Sequence, residues 1–318
     1  MNVVAFAETQ SDGRFKKSAA EAVSYGKHIA QMAGGTLTAV AFDTAEPGAL
    51  GRYGADHIVN VSGEALRDAS PEGSAQALSE AAQGDLYILS HSNDGAALAP
   101  FLALKRNAAL VTHAISYPSA LSPLVVKRNA FSGKGIMEVS AQGEQLVLTV
   151  MPNSVGAKES HSEAEVRAKS VSLPPPRTAV QSRELSSGKV DLKEADVVIS
   201  AGRGLKGPEN WGMIEELAEV LNGATACSKP VSDTGWRPHS EHVGQTGKTI
   251  APKLYIAIGI SGAIQHLAGV SGSKHIVVIN RDADAPFFKA ADYGVVGDLF
   301  EVVPQLIEKL KAYRAQNT

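Results

Sequence analysis

Residues 254–266, Leu254-Tyr255-Ile256-Ala257-Ile258-Gly259-Ile260-Ser261-Gly262-Ala263-Ile264-Gln265-His266, decide how this chain reads. A short apolar run stops at a Gly-Ile-Ser-Gly turn, and a helical pattern restarts near Ala263. Such a strand-to-helix turn aims backbone N–H groups and a helix N-terminus at one spot, which suits a phosphate or pyrophosphate. Upstream stands Val243-Gly244-Gln245-Thr246-Gly247, and downstream a second apolar run over 276–279 ends before Asn280. Thr246, Gln265 and His266 add neutral donors to a site otherwise lined by backbone. The combination predicts a pocket for a large dinucleotide rather than for a metal or a nucleophile.

The same alternation of short apolar runs and helical patterns covers most of the chain. Residues 3–7, 36–42, 57–61 and 85–90 read as strands. Helices are expected over 16–32, closed by Gly34-Gly35, and over 75–82. Strands separated by helices of this length imply a parallel sheet covered on both faces. After Ala109 the pattern turns β-rich: 125–130, 135–141 and 145–150 read as strands, with Gln142-Gly143-Glu144 as a hairpin turn. Over 157–194 the periodicity fails, and Pro174-Pro175-Pro176 favours an extended connection, part of which can add an edge strand. A second domain begins with a strand over 196–201 and a helix over 209–221. Its last helical patterns are 290–293 and 302–311. The expected fold is α/β with two domains, each a mainly parallel sheet flanked by helices: 1–156, a connecting segment 157–194, and a Rossmann-like domain 195–318.

At 318 residues the chain is long for a single core. A hydrophobic content of 44% with 20% charged residues is ordinary globular composition. The formal net charge of −3 argues against a nucleic-acid platform. The longest apolar runs are strand-sized, so direct membrane insertion is not expected. A single cysteine, Cys227, excludes an internal disulfide. With an N-terminus that reads as a strand at once and shows no presequence, this predicts a bacterial cytoplasmic protein.

Several motifs have a bland reading beside the chemical one. Gly202-Arg203-Gly204-Leu205-Lys206-Gly207 matches GxGxxG, but no acidic residue stands about 20 positions on, where a dinucleotide fingerprint would need one. It reads either as a phosphate-side loop with Arg203 as cation or as a plain strand-to-helix turn. Thr246 can donate to a ring nitrogen or merely cap its turn. His239-Ser240-Glu241-His242 has metal-capable side chains but lacks a scaffold for three or four ligands, and a solvated loop is the expectation. Cys227, after an apolar stretch, reads as a buried small hydrophobe. No nucleophile elbow, HExxH or Walker loop occurs, so no catalytic residue and no metal ligand is expected.

Taken together, Gly202-Arg203-Gly204, Gly244-Gln245-Thr246-Gly247, Leu254-Tyr255-Ile256-Ala257, Ser261 through Leu267, Ile279-Asn280 and Ala291-Asp292-Tyr293-Gly294 closely resemble the C-terminal domain of the electron transfer flavoprotein α-subunit. The match is dense from Val197 to Leu310 and weaker, but in register, before it. The resemblance implies one non-covalent FAD per chain, contacted by Arg203, Ser228, Lys229, Val243, Gly244, Gln245, Thr246, Ser261, Gly262, Ala263, Ile264, Gln265, His266, Asn280, Asp298 and Leu299. It assigns Thr246 to flavin N5, His266 to the pyrimidine ring, Asn280 to ribityl or ribose hydroxyls and Asp298 to the adenosine end. The family has Ser-Arg where this chain has Ser228-Lys229; lysine keeps the charge but loses the planar, stacking guanidinium.

The resemblance further implies an electron carrier: a heterodimer with a smaller β-subunit, reduced by acyl-CoA or other dehydrogenases and oxidised by a membrane quinone oxidoreductase or similar acceptor. Two other classes compete. One is a nucleotide-binding regulatory or scaffold protein without electron flow. The other is a flavin or NAD oxidoreductase with a small substrate, which would need an acid–base residue in its pocket.

Overall fold

The computed structural model describes residues 1–10, 12–66, 68–131, 133–173, 178, 180–182 and 191–317. The chain divides into two compact units, residues 1–130 with 135–185, and residues 131–134 with 186–318. The three-proline stretch 174–176 read as part of the connection lies outside the described residues.

The first unit runs β1 (Val3–Ala7), α1 (Lys17–Met32), β2 (Leu37–Phe42), β3 (His57–Ser62), α2 (Pro71–Ala81), β4 (Leu86–Ser90), α3 (Asn93–Arg106), β5 (Ala109–Ala114), β6 (Ala120–Leu121), β7 (Leu124–Ala130), β8 (Gly135–Ala141), β9 (Leu146–Val150) and β10 (Glu165–Ser170). The sheet order is β10-β3-β2-β1-β4-β9-β5-β7-β6, with β8 on β7. Alternate residues of β1 serve two cores: Val3, Ala5 and Ala7 pack with α1, and Val4 and Phe6 pack with α2 and α3. Burial on both faces explains why these strands read as unbroken apolar runs.

Two departures from the sequence reading stand out here. The hairpin expected at 142–144 does not form. β8 pairs antiparallel with β7, whereas β9 runs parallel between β4 and β5. All five residues of β9 are buried, so a central slot wins over the local turn. Helix α3 was not anticipated; it is alanine-rich, holds Pro100, and exposes Phe101 and Leu104, which blurs its apolar stripe. The edge strand expected downstream is β10, parallel to β3.

The second unit contains β11 (Val197–Ala201), α4 (Gly212–Val220), β12 (Ala224–Cys227), α5 (Lys229–Asp233), β13 (Leu254–Ile258), α6 (Ile264–Val270), β14 (His275–Asn280), β15 (Tyr293–Val296) and α7 (Leu299–Asn317). Its five strands are all parallel, in the order β12-β11-β13-β14-β15. Ile199, Ala201, Ile256 and Ile258 face Ile214 and Leu217 of α4 and Val303 and Ile307 of α7. Burying a side chain of that size contributes about 1.5–3 kcal/mol, which holds α4 and α7 on the sheet. Val198, Ala226, Tyr255 and Ala257 face Val270 of α6 and Phe287 on the other side. The helical turn expected at 290–293 lies earlier, as a 3-10 turn over Pro286–Ala290, and Tyr293 opens the exposed strand β15. Pro286 supplies the fixed φ that starts that turn. Among the described residues no helix is long and apolar enough to cross a membrane.

Candidate functional site

In the second sheet the chain order reverses between β11 and β13. The loop after one strand leads to α4 on one face and the loop after the other to α6 on the opposite face. A crevice opens at such a switch point, beyond the carboxyl ends of the strands, and ligands of open α/β sheets bind there. The two loops are held close by backbone: the Gly202 N–H donates to Ile258 O (3.0 Å) and the Gly204 N–H to Gly259 O (3.1 Å). A Cβ on Gly202 would stand 2.4 Å from Gly259 O, and one on Gly204 2.7 Å from Gly259 Cα. Gly259 itself has φ +61°, so this crossing requires glycine on both sides.

The crevice is an open cleft of ≈ 630 Å³, within the range of sites that hold drug-sized or larger ligands. The end of β11 supplies Arg203, and the end of β12 supplies Ser228 and Lys229. The following loop supplies His242, Val243, Gly244, Gln245 and Thr246. From the end of β13 come Gly259, Ile260, Ser261 and Ala263, from α6 Gln265 and His266, and from the end of β14 Asn280. Asp298 and Leu299 line a smaller adjoining hollow of ≈ 40 Å³, with Gly204, Lys206, Gly259, Asn280 and Arg281. Gly262 and Ile264 line neither. Gly262, at φ +85°, packs against the Phe287 backbone, and Ile264 is exposed.

Local chemistry fixes these walls. The 243–247 turn is closed by Gly247 N–H to Gly244 O (3.1 Å) and tied to α6 by Gln245 N–H to Gln265 O (2.7 Å). A Cβ on Gly269 would stand 2.4 Å from Gly244 Cα, so small residues let turn and helix touch. Asn280 Nδ2 donates to Ile260 O (3.0 Å), and its Oδ1 accepts from Asp282 N–H (3.1 Å). That leaves one N–H and one lone pair for a ligand. Asp298 Oδ1 accepts from Phe300 N–H (2.9 Å) at the start of α7. The backbone N–H groups of Ser261, Gly262 and Ala263 donate to no protein acceptor among the described residues. Helix α6 is only seven residues long, so the turn's own N–H groups, more than a helix dipole, make this corner attractive to an anion.

The electrostatics are mild. Lys229 Nζ lies 3.5 Å from Asp233, one turn along α5, and the lysine is 61% exposed. Such a pair is well screened. Burial, reinforced by the charge of Lys229, pushes His242 below the ordinary histidine range. Burial, with His242 as a lesser cause, pulls His266 down to about 4, so both imidazoles are neutral near pH 7. His266 Nε2 is 2.8 Å from the hydroxyl of fully buried Tyr255, while its Nδ1 is buried without a hydrogen-bond partner. Burial likewise pushes Cys227 up to about 12, which makes it a poor nucleophile, as its apolar setting implied.

The loop 239–242, expected to be solvated, is so only in its first half, where His239 and Ser240 are exposed. Glu241 and His242 are buried, and Glu241 is gripped by Arg237 through two 2.7 Å contacts. Arg237 also reaches Glu215 (3.1 Å) and sits over the Trp211 ring (5.1 Å). Among the described residues no group of three or more His, Cys, Asp or Glu could hold a metal. Pro230, Asp233 and Asp282 in the cleft and Arg281 beside it lie in no motif of the sequence, whereas His242, Gly259, Ile260 and Lys206 lie in motifs without an assigned cofactor contact. Asp233 is legible as the i+4 partner of Lys229; Pro230, Asp282 and Arg281 carry no local signal beyond adjacency to a motif.

The cleft fits a dinucleotide cofactor: it has the volume, a glycine crossing that admits backbone approach, free N–H groups and cations at its rim. Comparison with known proteins agrees. Residues 191–271 match the family model described as the electron transfer flavoprotein FAD-binding domain, and residues 3–176 match the electron transfer flavoprotein domain. An electron transfer flavoprotein subunit alpha from Bacillus subtilis is 39% identical over 266 residues, 81% of this chain and 82% of the relative. One from Syntrophomonas wolfei is 34% identical over 311 residues, 95% of this chain and 97% of the relative. A mitochondrial one from Arabidopsis thaliana is 60% identical over 120 residues, 38% of this chain and 33% of the relative.

Proposed function

The chain belongs to the family of electron transfer flavoprotein α-subunits, and on that premise we propose that it carries one non-covalent FAD in the cleft of its second unit. It is a redox carrier rather than an enzyme with its own substrate. FAD supplies the electron-accepting and electron-releasing chemistry when bound; the protein binds, orients and tunes. Arg203 and the N–H groups of 261–263 take the phosphates. Lys229 presents positive charge and Thr246 a hydroxyl to the ring system, with Ser228, Val243, Gly244, Gln245, Gln265 and His266 forming the walls. Asn280 serves a sugar hydroxyl, and Asp298 and Leu299 close the adenosine end. Gly262 and Ile264 act through the backbone of the turn. The observation that carries this reading is the glycine-lined cleft at the switch point of the unit that matches the FAD-binding domain.

The relatives' names make each of them one subunit of a larger flavoprotein. The partner proposed here is the smaller β-subunit, with acyl-CoA or other dehydrogenases as donors and a quinone oxidoreductase as acceptor. The bacterial cytoplasm is the proposed compartment, which a lone buried thiol favours. The test is anaerobic mixing of the co-expressed complex with an acyl-CoA dehydrogenase and its substrate. Bleaching of the flavin only when both are present, reversed by a quinone oxidoreductase, is expected. Bleaching by NADH alone would favour an oxidoreductase with its own substrate, and FAD inert to both would favour a scaffold.

A further inference from the structure

Strand β13 carries a single side-chain hydroxyl, that of Tyr255, and it is fully buried on the α6 side of the sheet among Val198, Val270 and Phe287. A buried phenol needs a hydrogen-bond partner. The partner is His266 Nε2 on α6, at 2.8 Å. Val198 of β11 pairs with Tyr255, and Ser200, two residues on, faces the same side. The Ser200 hydroxyl reaches no partner at ordinary hydrogen-bond length among the described residues, yet it stands near enough to favour the phenolate oxygen. Burial is the larger influence and pushes the phenol up, so Tyr255 keeps its proton and stays a donor.

Burial holds His266 neutral, and a neutral imidazole has one donor and one acceptor nitrogen. The lesser influences are His242, which opposes charge on the ring, and the Val243 backbone, which favours it. A backbone group that favours the protonated ring is a carbonyl turned toward a ring N–H. Nε2 is committed to Tyr255, so that N–H is on Nδ1. The contact falls short of a hydrogen bond, since Nδ1 has no partner among the described residues. The opposite arrangement would set the Nδ1 lone pair against a carbonyl. Phe287, edge-on to His266 with ring centroids 5.7 Å apart, holds the plane of the imidazole.

We infer that Tyr255 is a positioning residue: its hydroxyl donates to His266 Nε2 and fixes the imidazole as the Nδ1–H tautomer, which turns a donor and not a lone pair toward the Val243 wall of the cleft. Negative charge gained by a bound cofactor then meets the N–H edge of the ring. That consequence rests on the proposal that FAD occupies the cleft, whereas the tautomer is a property of this chain alone.

Isotope-labelled histidine in the co-expressed complex reads the tautomer near neutral pH from two-bond proton–nitrogen correlations. The His266 signals are identified by their absence in His266→Gln. The FAD-stripped parent is expected to show Nδ1 protonated and Nε2 bare. In Tyr255→Phe the Nε2–H form appears, because the donor that excluded it is gone. FAD-loaded complexes are then compared by spectroelectrochemistry. Tyr255→Phe is expected to weaken the reduced against the oxidised cofactor by up to about tenfold, the net worth of one hydrogen bond, or about 59 mV for one electron. In a His266→Gln background the same substitution shifts nothing further, since its effect runs through the imidazole. An Nε2–H ring in the parent would overturn the inference, whether or not Tyr255→Phe folds. So would a Tyr255→Phe complex that keeps the parent tautomer, or one whose potential falls equally with and without His266. A parent that takes up no flavin would instead fail the cofactor assignment, and the FAD-free spectrum would still decide the role of Tyr255.

Discussion

Gly204→Ala is the sharpest perturbation of the site, because the atoms it strikes cannot move aside. The added Cβ would lie 2.7 Å from Gly259 Cα and 2.9 Å from Gly259 O, both backbone. Ordinary contact begins near 3.4 Å, so the loops after β11 and β13 must part by about 0.7 Å. Overpacking of this kind costs about 1–3 kcal/mol. The Gly204 N–H to Gly259 O bond lies in the same crossing, and stretching it adds about 1 kcal/mol. The expected loss is about 2–4 kcal/mol, with FAD held at least about tenfold more weakly, since the same loops form the cleft walls. Gly212→Ala is the control. It begins α4 and would meet nothing within 4 Å, so it should be neutral or up to about 1 kcal/mol stabilising. Urea unfolding and FAD titration of both variants in the co-expressed complex read the two quantities. A Gly204→Ala protein within about 0.5 kcal/mol of the parent and with unchanged FAD affinity would refute the reasoning.

Three further outcomes follow from the same geometry. Lys229→Ala should lower the first-electron potential of the flavin, but by no more than about 60 mV, one tenfold change for one electron, because the charge is exposed and paired with Asp233. Spectroelectrochemistry reads the shift, Lys229→Arg should restore it, and an unchanged potential in Lys229→Ala would place that charge away from the ring. His266 should make stability fall with acid. Its folded-state value, about 4, lies below the ordinary 6.5, so protons favour the unfolded chain. The contribution is intact above about pH 6.5 and lost as pH drops toward 4, a change of about 3 kcal/mol. Urea unfolding across that window should show a shallower slope in His266→Gln, and an identical slope would contradict the burial argument. In the first unit, Ser92 Oγ bonds the buried Glu8 carboxylate (2.7 and 2.8 Å) and caps α3 through Gly95 N–H (2.9 Å). Ser92→Ala should therefore cost about 2 kcal/mol in a melt of the complex, and a loss under about 0.5 kcal/mol would dismiss that double role.

What could be read from the residues was local. The strands of the second unit are apolar runs buried on both faces, and the motifs sit at their carboxyl ends, so both the parallel sheet and the position of the pocket were legible. Pairing between distant segments was not. Gln142-Gly143-Glu144 has hairpin chemistry, yet β9 takes a central slot between β4 and β5, set by the burial of all its residues. The loop 239–242 has the composition of a solvated segment. The burial of its Glu241 depends on Arg237 four residues earlier, together with Trp211 and Glu215 from α4 and the turn before it.

The central claim is that the second-unit cleft holds a redox-active FAD, and a reductive titration of the purified complex tests it most directly. The visible spectrum is recorded for the parent and for Gly204→Ala while dithionite is added anaerobically and air is then readmitted. The expected result is one flavin per α-chain in the parent, bleached and restored reversibly, and substoichiometric flavin in Gly204→Ala. A parent complex without flavin, or equal flavin retained by Gly204→Ala with its loops forced apart, would contradict the account.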